Sequence, residues 1–70
     1  MASMQIKRIS EHTYVVRQYD EVISVDLGEM SETKVHGHLM DRQLMDHTPD
    51  EILDSLNVGE EMTVQFRTSM

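Results

Sequence analysis

The chain has 70 residues, with six Lys and Arg against 13 Asp and Glu for a formal net charge of −7, and contains no cysteine. Absence of cysteine excludes disulfide staples, thiolate zinc sites, thiol nucleophiles and cysteine-held iron–sulfur clusters. The acidic balance disfavours nonspecific nucleic-acid binding, which draws its affinity from cations displacing counterions at phosphates. A basic partner suits it better.

One domain is the limit at this length, since so short a chain buries only about 60% of the surface its unfolded form exposes. Tyr14, Tyr19 and Phe66 are its only Tyr, Phe or Trp residues, so the core must come mainly from Val, Ile, Leu and Met. A thin core without staples is commonly completed by dimerisation, and a homodimer is expected. No stretch approaches the roughly 20 apolar residues that span a bilayer. Met1-Ala2-Ser3-Met4-Gln5 lacks the basic and apolar regions of a signal peptide, so a cytoplasmic location is expected.

Residues 4–9 and 13–19 are rich in side chains that suit a half-buried pleated surface, and Ser10-Glu11-His12 separates them, which predicts a β-hairpin. Residues 21–27 place Ile23, Val25 and Leu27 on one face and Ser24 and Asp26 on the other, the alternation of a third strand entered through a turn at Asp20-Glu21. Gly28 to Lys34 is polar and reads as a loop. Val35, Gly37 and Leu39 then alternate, predicting a strand over 34–40, while 41–47 either prolongs it past a bulge or makes a short helical turn.

Thr48-Pro49-Asp50-Glu51 combines a hydroxyl cap, a proline at the first helical position and a glutamate three residues after the cap, so a helix starts at 49. Ile52, Leu53 and Leu56 form its apolar stripe, and Asn57-Val58-Gly59 ends it. Met62, Val64 and Phe66 alternate with Thr63, Gln65 and Arg67 in a closing strand over 61–67. The expected fold is α+β: a small antiparallel sheet of four to five strands with one helix near the C-terminus packed on one face (ββββαβ). The domain spans 4–67, with 1–3 and 68–70 frayed.

Few residues suggest chemistry. On a strand, His36 and His38 would project from one face, and Asp41, Asp46 or His47 could complete a metal site. The same pair is equally expected as ordinary histidines on a wet face, and no metal or cofactor is assigned. The serines lie in no nucleophile-elbow sequence, and Gly28, Gly37 and Gly59 are too dispersed to cradle phosphate. No catalytic residue is assigned and an enzyme is not expected.

The acid is concentrated towards the C-terminus: residues 1–35 carry four basic and six acidic groups, residues 36–70 two and seven. Asp46, Asp50, Glu51, Asp54, Glu60 and Glu61 form an acidic series. It is able to imitate the phosphate row of a duplex in the nucleic-acid groove of another protein or to dock on a basic patch, with Asp46, Asp50, Glu51 and Asp54 as the expected contacts, or to stand as a solvated face. Seven methionines are present; Met40 and Met45 suit a subunit or partner contact, because methionine adapts to varied surfaces.

Pro49-Asp50-Glu51-Ile52 followed by Leu56-Asn57-Val58-Gly59-Glu60-Glu61-Met62-Thr63-Val64 resembles the helix and following strand of swapped-hairpin transcription factors and antitoxins of the AbrB type. The resemblance spans 49–64 and implies a DNA-binding dimer. The stretch before it departs from that pattern, offering Asp41, Asp46 and His47 where the family places a basic strand, with only Arg42 positive. The expected function is therefore a small acidic protein-binding regulator or inhibitor, of the size that phages and plasmids encode, masking a basic or apolar surface of a protein target. The alternatives are a dimeric DNA-binding regulator, which needs Lys7, Arg8 and Arg17 on one face, and a structural subunit of an assembly.

Overall fold

The computed structural model describes residues 2–20, 22–45 and 47–67. Five strands and two helices follow in the order β1 (Ala2–Arg8), β2 (Thr13–Tyr19), β3 (Ser24–Ser31), α1 (Glu32–Met40), β4 (Gln43–Leu44), α2 (Pro49–Ser55) and β5 (Glu61–Arg67). The sheet order is β3-β2-β1-β5-β4, with every neighbouring pair antiparallel. The α+β class, the antiparallel sheet, the first hairpin and the closing strand are as the sequence predicts. β1 starts at Ala2, which is buried, and Ser3 pairs with Tyr19, so the ordered strand includes two residues expected to fray.

Alternation explains which face is dry. Ala2, Met4 and Ile6 of β1, Tyr14 and Val16 of β2, and Val64 and Phe66 of β5 are buried against Val35 and Leu39 of α1 and the Ile52-Leu53-Leu56 stripe. The register puts Ile6 beside both Val16 and Met62, and Met4 beside Val64. Both helices therefore lie on one face, and β1, central and paired on both edges, organises the layer beneath them.

Two expectations fail between residues 21 and 40. The third strand is 24–31, later and longer than predicted, and it absorbs the first half of the expected loop. Its register shifts between Val16 and Arg17, so Val16 pairs with Gly28 but Arg17 with Asp26. That bulge, with Gly28 at φ 77°, lets Met30 as well as Leu27 pack on the core, while Ile23 and Val25 are exposed; a positive φ is cheap only for glycine. The turn at Asp20-Glu21 falls partly outside the described residues, although the Asp20 amide donates to the Ile23 carbonyl at 2.8 Å.

The predicted strand over 34–40 is instead α1. Ser31 caps it, its hydroxyl accepting from the Lys34 amide at 3.3 Å, and Val35 and Leu39, one turn apart, both face the core. Leu44 lies in the two-residue β4, paired with Phe66.

α2 begins where predicted. The Thr48 hydroxyl accepts from the Glu51 amide at 3.2 Å, whereas the Glu51 carboxylate stands 3.8 Å from His47 Nδ1. After Leu56, Gly59 takes φ 91° and donates its amide to the Arg8 carbonyl at 2.7 Å, which returns the chain to the sheet beside β1.

Candidate protein-binding surface

Arg8 and Arg42 fasten the helical layer. The Arg8 guanidinium donates to the Leu56 carbonyl at 2.8 Å and the Glu11 carbonyl at 2.7 Å, and lies 5.8 Å from the Tyr14 ring centre. Arg42 donates through Nε and Nη2 to Gln18 Oε1 at 3.3 and 2.9 Å, and lies 5.6 Å from the Phe66 ring centre. Both cations are thus engaged with main chain, amide and aromatic groups of their own fold.

Where α1 and α2 meet they leave an open groove of about 370 Å³, lined by Glu32, Thr33 and His36 of α1 and Asp50, Leu53 and Asp54 of α2. Leu53 is nearly buried and supplies the apolar part of the lining. His36 Nε2 lies 3.1 Å from Asp50 Oδ1, linking the two helices across it. Glu32 is held by the Tyr14 hydroxyl, which donates to its Oε1 at 3.5 Å. Burial pushes the Tyr14 phenol up, with Arg8 opposing and Glu32 adding to the rise, so the hydroxyl remains a donor. The groove therefore presents three carboxylates, from Glu32, Asp50 and Asp54, around one aliphatic side chain.

Of the residues nominated from sequence, Asp50 and Asp54 reach this groove, one turn apart on α2. Glu51 is exposed beside His47. Met40, 62% exposed, ends α1, and Met45, 39% exposed, lies at the β4 edge, where its amide donates to the Gln65 carbonyl at 3.2 Å. Neither methionine lines the groove. Asp46 lies outside the described residues. Glu32, Thr33 and His36 were missed because their segment reads as loop and strand; the available signal was Ser31 as a cap ahead of Val35 and Leu39.

A helix also undoes the basis for pairing His36 with His38. At about 100° per residue, residues two apart point some 200° away from each other. His36 faces Asp50, whereas His38 Nε2 is buried without a hydrogen-bond partner among the described residues. Burial, then the neighbouring Arg42, lowers the His38 pKa, with Asp41 opposing. Among the described residues, no group of three or more His, Cys, Asp or Glu side chains is placed to hold a metal ion.

The opposite face of the sheet carries a different balance of charge. The register lays Glu61, Lys7, Val15 and Glu29 in one row, Thr63, Gln5, Arg17 and Asp26 in the next, and Gln65, Ser3, Tyr19 and Ser24 in a third. Arg67 continues the β5 column. Lys7, Arg17 and Arg67 thus stand against Asp26, Glu29 and Glu61, so this face is balanced within a chain of net charge −7. Arg17 Nη2 donates to Asp26 Oδ2 at 3.4 Å. The Gly28 amide, and secondarily Arg17, hold the Asp26 carboxyl below its ordinary range.

No helix among the described residues is long and apolar enough to cross a membrane. Comparison with protein-family models, with curated proteins and with solved structures finds no match to the chain.

Proposed function

We propose that this chain is a cytosolic, non-enzymatic regulator or inhibitor that binds a protein through the target's basic or apolar surface. The observation that carries this reading is the α1–α2 groove, in which Glu32, Asp50 and Asp54 surround Leu53. A lysine or arginine from a partner would meet carboxylates on both helices while its methylene stem lies against the leucine. Each solvated ion pair contributes about 0.2–1 kcal/mol, so the acid supplies steering and selectivity. Apolar contact must supply the rest, and exposed side chains such as Met40 and Met45 suit that role.

The placement of the cations favours this reading over a DNA-binding dimer. Lys7 and Arg17 lie on the outer sheet face, whereas Arg8 alternates to the opposite face and donates to Leu56 and Glu11. The three do not form one phosphate-contacting patch. The homodimer expected from chain length uses the outer sheet face in this account, because its balanced charges let two acidic copies approach there with the least repulsion.

Affinity capture from the native cell extract tests the reading, with bound protein and nucleic acid both identified. One stoichiometric protein partner, released by raised salt, is the expected result. Recovery of nucleic acid without such a protein would turn the case to the DNA-binding alternative.

A further inference from the structure

We infer that the open edge of β3 is a docking site for an extended, basic segment of a protein partner, which adds to the sheet as a further strand. The inference rests on the protein-binding reading above and gives it a main-chain element separate from the helical groove.

β3 is the first strand of the sheet order and among the described residues pairs only with β2, so its other edge presents alternate backbone amides and carbonyls without strand partners among those residues. Natural edges are commonly blunted by lysine, proline or a bulge. The β3 sequence, Ser-Val-Asp-Leu-Gly-Glu-Met-Ser, has neither lysine nor proline. Its bulge beside Gly28 interrupts the edge but leaves Ser24–Asp26 regularly paired with Arg17–Tyr19. Beside and within this run stand three exposed aliphatic side chains: Val22 at 92%, Ile23 at 62% and Val25 at 43%. Exposed aliphatics beside an open strand edge are what strand addition covers.

Charge selects the occupant. Between residues 18 and 33 the sequence contains Asp20, Glu21, Asp26, Glu29 and Glu32, and no Lys or Arg. Arg17 already pairs with Asp26 across β2 and β3, but a second copy paired edge to edge would still bring the remaining carboxylates of two such segments together, and like charges placed opposite one another destabilise a strand pair. A basic strand meets the opposite situation.

The pleat refines the partner's pattern. Val25 pairs with Gln18 and shares its face, the one on which Arg42 of the helical layer reaches Gln18, while Asp26 and Glu29 face the outer side. An added strand therefore places apolar residues beside Val25 and basic residues beside Asp26, in alternation. Charge complementarity steers such an encounter, whereas main-chain pairing and apolar burial hold it.

The test titrates the full isotope-labelled chain with a capped nine-residue peptide of alternating lysine and valine, reading amide shifts and hydrogen exchange. A peptide with glutamate for lysine, and one N-methylated on its pairing amides, serve as controls. Expected are saturable shifts over 22–31, slowed exchange at alternate amides of 24–26, and binding at least tenfold weaker for either control. Ile23→Lys with Val25→Lys should abolish these effects without lowering the melting temperature, while Asp50→Lys with Asp54→Lys should preserve the exchange protection at β3. Absence of shifts over 22–31 overturns the inference. If shifts appear instead at the α1–α2 groove, the protein-binding reading stands and the edge is removed from it. Exchange at 24–26 that slows with protein concentration alone would identify a second copy as the occupant and overturn the basic partner.

Discussion

Phe66→Ala probes the fold where it is thinnest. The ring is only 4% exposed, pairs in register with Ala2 and Leu44, and lies under the Arg42 guanidinium. Its removal forfeits the transfer energy of a buried benzyl group and leaves a cavity that the flanking strands cannot close, a combined cost of about 3–5 kcal/mol. A domain of this length has a total stability of roughly 3.5–10 kcal/mol at about 0.05–0.15 kcal/mol per residue. Each 1 kcal/mol moves the melting temperature of so small a domain by about 4–8 °C, so a fall of at least about 12 °C is expected by thermal circular dichroism. Phe66→Leu, which keeps most of the volume, should lose about 1.5 kcal/mol or less. A fall below about 5 °C for the alanine variant would refute the packing of β5 and with it the sheet order.

Three further outcomes follow from the geometry. Gly37 sits inside α1 without positive φ and with nothing within 4 Å of an added Cβ, so Gly37→Ala should stabilise by about 0.5–1 kcal/mol in urea unfolding; a loss would contradict the helix. Because the fold lowers the His38 pKa, the unfolded chain binds more protons between the folded value and about 6.5, and stability should fall as pH drops through that window. Direct imidazole titration by NMR should give a His38 midpoint below 6.5, and His38→Gln should flatten the pH slope; a midpoint at or above 6.5 would contradict its burial. If the outer sheet face makes the dimer about a two-fold axis along the strands between β1 and β5, Lys7 of each copy meets Glu61 of the other. Lys7→Glu and Glu61→Lys should then each weaken self-association in sedimentation velocity and restore it when mixed, whereas wild type that remains monomeric at every concentration would exclude that dimer.

Legibility in the sequence tracked how local the determining physics is. α2 and β5 were readable because Thr48, Pro49 and the Ile52-Leu53-Leu56 stripe act within one or two turns, and because Val64 and Phe66 alternate without interruption. β3 was misplaced because its register is set across the strand pair, by a bulge opposite Val16 and Arg17. Ile23, Val25 and Leu27 alternate as a buried face would, yet the first two remain in solvent. α1 was misread because Gly37 is a poor helix former and Val35 and Leu39 fit a period of two as well as a turn of helix. Their tertiary partners decide the matter. Half of the groove went unseen for the same reason: Asp50 and Asp54 were identifiable on a capped helix, whereas Glu32 and His36 join them only when α1 forms.

The most direct test of the protein-binding claim compares wild type with the Asp50→Lys, Asp54→Lys double variant against the captured partner by calorimetry across a salt series. Both carboxylates are exposed, and loss of favourable charge near the start of α2 together with the His36–Asp50 contact should cost the fold about 1–2 kcal/mol. At each of two contacts roughly 0.5 kcal/mol of attraction is lost and roughly 0.5 kcal/mol of repulsion gained, about 2 kcal/mol in all, so binding should weaken by about 30-fold and lose much of its salt dependence. Unchanged affinity and salt dependence in a folded double variant would contradict the account and remove the helical groove from the binding surface.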